Sequence, residues 1–251
     1  GRKRFWWRHG RTGDDYRLAI CDLPRYICTP RVAKHRFFVW LDKQVWPDSR
    51  LYAITRADDA TFGLLSSRIH EVWSLAQASM HGVGNDPTYN AKSCFETFPF
   101  PEGLTPADTA HQRTDTLEGG ARIPAGLPAR TQTHASAIAQ AAKRLDNLRQ
   151  AWLKPPEWTQ TLPEVVPLGL PASPYPDRTI ARPGFEKQLA ERTLTKLYNQ
   201  RPAWLAQAHA TLDQAVAAAY GWPNFTPATP DDDILKRLLA LNLERASSAQ
   251  A

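Results

Sequence analysis

Eight of the chain's 21 prolines fall between residues 155 and 183. Proline has no backbone N–H and a fixed φ, so neither a helix nor an interior strand runs through such a stretch. An extended, wrapping segment is expected there. It separates two regions with helical patterning. Ahead of it, Ile138, Ala142, Leu145, Leu148 and Trp152 fall on one helical face, and Pro155-Pro156 ends that helix. Behind it, Leu189, Leu194, Leu197 and Tyr198 suit a second helix. Pro202 opens a third with the stripe Leu205, Ala208, Leu212, Val216 and Ala219, closed by Gly221 and Pro223. Asp231-Asp232-Asp233 caps a last helix, whose Leu235, Leu238, Leu239 and Leu241 are expected to be buried.

The first hundred residues read differently. Arg25 to Cys28, His35 to Leu41 and Leu51 to Thr55 are short runs rich in aromatic and branched residues, with turn chemistry at Pro47-Asp48-Ser49. Asp58-Asp59 then caps an amphipathic helix over 60–78, built on Phe62, Leu65, Ile69, Val72, Trp73 and Ala76. His70 is expected to face solvent. A loop at Gly82 to Pro87 and an extended run over 94–101 follow. Pro, Gly, Thr and Ala dominate 102–133, so 104–133 reads as a linker or mobile insertion. The expected fold class is α+β: a mixed module over 1–103, the linker, and an all-helical module over 134–251.

Hydrophobic residues make up 42% of the 251, enough to bury a core and exclude a disordered tail. The longest apolar runs are far too short to span a membrane, and no basic start followed by an apolar stretch reads as a signal peptide, so a cytoplasmic location is expected. The first residue is Gly1, not Met, which reads as a piece cut from a longer chain. Three cysteines without a Cys-x-x-Cys pair argue against a disulfide scaffold and a thiolate zinc site. Cys28 reads as a small buried hydrophobe rather than a nucleophile.

Charge is concentrated at one end. Residues 1–56 carry 13 Lys+Arg and 5 Asp+Glu, a net +8, whereas the other 195 carry 18 and 20. A basic region on a near-neutral body is the electrostatic footprint of a polyanion partner. Within it, Arg25, Tyr26, Thr29, Arg31, Lys34, His35 and Arg36 place donors to phosphates and base edges on a strand end and the following turn. Arginine bonds guanine bidentately, lysine meets phosphate as a point charge, and tyrosine stacks or bonds. Asn85 in the neighbouring loop completes the candidate DNA-binding set. The competing reading is an ordinary basic turn whose arginines pair with Asp22, Asp42 or Asp48. Trp6 and Trp7 are candidates for packing on a preceding part of the chain.

Asp86-Pro87-Thr88-Tyr89 resembles the Asp/Asn-Pro-Pro-Tyr motif that holds a flipped base in amino-methyltransferases. Here Thr88 replaces the second proline, and no glycine-rich loop after a strand precedes it to hold a nucleotide cofactor. It therefore reads as a structural or recognition loop.

Two stretches carry a wider resemblance. The first is RYICTPRVAKHRFFVWLDKQVWPDSRLYAITRADD (25–59), with FGLLSSRIHEVW (62–73), GVGNDPTYN (82–90) and FETFPFP (95–101). The second is TLTKLYNQRPAWLAQAHATLDQAVAAAYGWP (193–223) with ILKRLLALNLER (234–245). Together they resemble the C-terminal third of large bacterial adenine-specific DNA methyltransferases of the type IIG/IIL-like kind. These enzymes join methylation and sequence recognition in one polypeptide. The resemblance implies a target recognition domain followed by a C-terminal helical region. It implies double-stranded DNA and an upstream methyltransferase domain of the same polypeptide as partners. It also implies S-adenosylmethionine as the cofactor of that parent, with no cofactor and no catalysis in the chain itself. Two alternatives compete: a self-contained methyltransferase, which lacks its cofactor loop here, and a helical protein-interaction module with an incidental basic patch.

Overall fold

The computed structural model describes residues 14–83 and 86–248. A short helix α1 (Asp14–Ile20) leads into a three-stranded antiparallel sheet of β1 (Arg25–Pro30), β2 (Val39–Asp42) and β3 (Leu51–Ile54), ordered β2-β1-β3. The register sets Arg25 opposite Asp42 and Ile27 opposite both Trp40 and Ile54. Being central, β1 is buried on both faces, and alternation divides its side chains. Ile27 joins the main core, whereas Tyr26 and Cys28 pack with Ile20 and Tyr16 on the α1 side. Burial pushes the Cys28 thiol up to about 12. The fold is α+β, as the sequence predicts.

The helix expected over 60–78 is two helices, α2 (Asp59–Ser66) and α3 (Arg68–Ala76). Ser67 separates them. Its extended backbone (φ −77°, ψ 154°) makes it the N-cap of α3, with its Oγ accepting from the His70 N–H and donating to the Leu64 carbonyl. Serine competes for backbone partners in this way and so favours caps over helix interiors. The break re-aims His70, which is fully buried rather than solvent-facing. Short strands β4 (Met80–His81) and β5 (Asp86–Pro87) pair antiparallel. Residues 94–101, expected to be extended, begin inside a π-helical turn at Ala91–Phe95.

The segment 104–133 is not a free linker. It holds the antiparallel strands β6 (Thr114–Thr116) and β7 (Arg122–Pro124), buries Ala121 and Ile123, and runs into α4 (Ala129–Leu153). The Arg122 N–H donates to Asp59 Oδ2 at 2.8 Å, and the Arg56 guanidinium bonds the carbonyls of Pro106 and Thr109. The two expected modules consequently share one hydrophobic core, which runs from Ile27 and Phe62 through Ile138 and Leu145 to Leu212 and Ile234. Gly63 is the point of closest approach. A Cβ there would lie 2.6 Å from Ile138 Cγ2 and 3.2 Å from the Ile138 carbonyl, so α2 and α4 meet almost backbone to backbone.

The proline-rich stretch contains one regular feature, the antiparallel pair β8 (Thr159–Leu162) and β9 (Arg178–Ala181). The prolines at 163, 167, 171, 174 and 176 lie in the long connection, where no ladder N–H is required. After α5 (Glu186–Ala190) and α6 (Leu194–Gln200), α7 (Ala203–Ala219) follows Pro202 and ends at Gly221, whose φ of +71° suits glycine. The last helix, α8 (Asp231–Ser248), buries Ile234 and Leu238 but leaves Leu239 53% exposed, so its buried stripe is narrower than the leucine pattern predicts.

Candidate nucleic-acid interface

The basic residues of the first quarter divide into structural and available sets. Arg25 is a staple. Its guanidinium lies 3.6 Å from the centre of the Trp40 ring, donates twice to the Ala57 carbonyl, and pairs with the buried Asp59 carboxylate at 2.8 Å. Tyr26, Thr29 and Arg36, expected to touch DNA, are internal. The Tyr26 hydroxyl donates to the Val45 carbonyl, and the Thr29 hydroxyl donates to the Phe37 carbonyl. Arg36 donates to the Thr29 hydroxyl, to the Pro30 carbonyl at 2.5 Å and to the Pro87 carbonyl at 3.2 Å. It also sits 5.0 Å from the Tyr89 ring centre. A buried cation must be satisfied from inside, so Arg36 clamps residues 29–30 to residue 87.

Lys34 and His35 share one acceptor on α6: both contact Asn199 Oδ1 at 2.8 Å. Lys34 stays exposed, with no carboxylate partner among the described residues. Asn85, Trp6 and Trp7 lie outside the described residues.

Arg31 is placed differently from its neighbours. It is exposed, forms no ion pair among the described residues, and its side chain is nevertheless positioned. Its guanidinium lies 5.5 Å from the Tyr52 ring centre and donates to the Ser49 carbonyl at 3.1 Å. Its backbone N–H donates to the Arg50 carbonyl, and its carbonyl accepts from the Tyr89 N–H at 2.7 Å. Arg31 lines a cleft of about 710 Å³ together with the adjoining residues 49–52 and with Ser79, His81 and Thr88 on and beside the β4–β5 pair. Arg50 lies on the same cleft, its backbone N–H held by Asp48 Oδ1 in a tight turn. Among the described residues, no Asp or Glu lines the cleft.

The floor is supported from beneath. Tyr89 is only 2% exposed, and its hydroxyl meets His70 Nε2 at 3.0 Å. Burial, then the nearby Arg36 charge, pulls the His70 imidazole down to about 3, so it stays neutral. Burial likewise pushes the Tyr89 phenol above its ordinary range. With its ring packed against Phe38 and Tyr52, Tyr89 has no open face for a flipped adenine. Asp86-Pro87-Thr88-Tyr89 is therefore a structural arm of the cleft.

Sequence reasoning missed Arg50, Tyr52, His81 and Asn90. Arg50 follows the Pro47-Asp48-Ser49 turn, and that turn is the one local signal that could have found it. The other three reach the cleft only through tertiary packing.

No family model matches the chain, and no curated protein matches it. Its fold is similar to that of a solved structure described as the Type IIL restriction-modification enzyme MmeI in complex with DNA. The TM-score is 0.54 and the sequence identity 19%, over 90% of this chain and 22% of that one. At that identity the likeness is one of fold. The chain spans less than a quarter of the enzyme it matches.

Every strand pair among the described residues is antiparallel, so no parallel β-α-β unit exists there to cradle a nucleotide cofactor. Among the described residues, no cluster of His, Cys, Asp or Glu is suited to a metal, and no helix is long and apolar enough to cross a membrane.

Proposed function

We propose that this chain is the double-stranded DNA recognition portion of a site-specific adenine-N6 DNA methyltransferase of a restriction-modification system. The observation that carries the reading is the cleft: its described lining holds two arginines and no carboxylate, neither arginine forms an ion pair among the described residues, and one is held on an aromatic ring and a carbonyl. Held donors in such a lining suit phosphates and base edges. The fold likeness to an enzyme solved with DNA supports the restriction-modification context. In this reading Arg31 bonds a base edge, Arg50 and Lys34 meet phosphates, and the methyl group comes from S-adenosylmethionine on an upstream domain of the same polypeptide. The body that shares the core with the recognition sheet keeps that sheet rigid.

The test separates Arg31 from Arg25 in the complete enzyme, by sequencing methylated sites in cells carrying each variant. Arg31→Ala should relax or abolish preference at one base position, a loss of about 1–3 kcal/mol for a bidentate pair. Arg25→Ala should lower the melting temperature through the lost Asp59 and Ala57 contacts and keep the preference. Unchanged preference with Arg31→Ala would overturn the reading.

A further inference from the structure

Edges of stacked base pairs are read by side chains that enter a groove about 12 Å wide. Beside the Arg31 side chain lies a concave feature of another kind, a half-open recess of about 710 Å³. A duplex can lie across such a recess, and a volume of that order also admits one unstacked nucleotide. We propose that this cleft receives a single unstacked nucleotide, an inference that rests on the DNA-recognition reading and adds a ligand state to it.

The lining suits that occupant. A guanidinium held over an aromatic ring is a platform for an unpaired base, and the Arg31–Tyr52 pair forms one side of the recess. Polar groups for the base edge lie around it. The Ser79 and Thr88 hydroxyls bond each other at 2.9 Å and Thr88 Oγ1 also accepts from the Ser79 N–H at 3.2 Å, which leaves the pair one O–H and two lone pairs for a base edge. Asn90 spends its Oδ1 on the Lys92 N–H, which leaves its amide NH2 as a donor. Arg50 and His81 are exposed on the same lining, where backbone phosphates of an extruded nucleotide would pass.

The walls are fixed before any ligand arrives. Tyr89 N–H bonds the Arg31 carbonyl, Thr88 N–H bonds the Ser79 carbonyl, and Arg36 bonds the carbonyls of Pro30 and Pro87. A preformed recess needs no ordering on binding, and its cost is the unstacking of one base.

The experiment measures affinity of the 251-residue chain for three probes of one sequence at low salt. These are a fully paired duplex, the same duplex with one unpaired nucleotide at its centre, and the single strand. Base stacking predicts that the bulged duplex binds about tenfold tighter than the paired one. Tyr52→Ala and Arg50→Ala, checked by melting curve, should each shrink that preference, Tyr52→Phe should keep it, and Lys34→Ala should weaken all probes alike. A single strand bound as tightly as the bulged duplex would support the same nucleotide chemistry, with the strand itself as its source. Equal affinity for bulged and paired duplexes would overturn the nucleotide cleft and leave duplex recognition standing. Failure to bind any of the three would overturn both.

Discussion

Gly63→Ala should destabilise the protein, although alanine is the better helix former. In α2 the exchange alone would gain about 0.5–1 kcal/mol. The new methyl would lie 2.6 Å from Ile138 Cγ2, 3.0 Å from Ala142 Cβ and 3.2 Å from the Ile138 carbonyl. Ile138 is β-branched and fully buried on α4, so its γ-methyl has little rotamer freedom to escape. Overpacking of this kind costs about 1–3 kcal/mol. The net effect should be a loss of about 1–2 kcal/mol, or roughly 2–4 °C in melting temperature per kcal/mol for a chain of this size. Urea unfolding with an unchanged slope would measure it. The companion is Ile138→Ala, which removes the obstructing methyl at its own cost of about 2–5 kcal/mol. The double variant should be more stable than the sum predicts, by about 1 kcal/mol or more. If Gly63→Ala stabilises the chain and adds simply to Ile138→Ala, the two parts do not share a close-packed core, and the two-module organisation with a free linker would be restored.

Two other measurements probe the same body. Burial, followed by arginine charges, pulls the imidazoles of His70 and His209 down to about 3, so both favour the fold above their ordinary pKa, and that stability is lost as pH falls toward 3. Burial pushes Asp213 up to about 7, so its contribution has the opposite sign and is lost as pH rises from about 4 through 7. Asp213→Asn should thus gain stability over the parent at pH 8 relative to pH 4 and steepen the acid limb, read as urea midpoints across that range; a parallel pH profile would contradict the burial argument. Limited thermolysin digestion should cut first in the β8–β9 connection, where Val165, Leu168 and Leu170 are exposed, and a first cut inside 104–128 would contradict the folded state of that segment.

What was legible in the sequence follows the range of the interactions. The strands expected over 25–28 and 51–55, which form over 25–30 and 51–54, the helix after Pro202 and the stop at Gly221 rest on local pattern, turn and cap chemistry. The unbroken helix over 60–78 fails because Ser67 satisfies its own polar group as a cap, a choice the surrounding apolar stripe does not reveal. The linker fails for a related reason: Pro, Gly and Thr mark flexible chain, yet buried Leu104, Ala121 and Ile123 anchor it, with Asp59 accepting the Arg122 N–H and Arg56 bonding the Pro106 and Thr109 carbonyls. At the candidate site, the cluster between Arg25 and Arg36 is visible as charge, but charge does not say which guanidiniums are used internally. Arg25 is held by Asp59, 34 positions away in sequence, and Arg36 by a carbonyl 51 positions away. Only Arg31 among the predicted arginines reaches the cleft, and Arg50 joins it from the adjoining turn that leads into β3.

Salt dependence of binding to a paired duplex tests the central claim most directly. With about four phosphates neutralised, the logarithm of the affinity should fall against the logarithm of salt concentration with a slope of about −3 to −4. Lys34→Ala or Arg50→Ala should each bring that slope closer to zero by about one. A slope near zero between low and physiological salt, or no binding at low salt, would contradict the assignment of this basic surface to DNA.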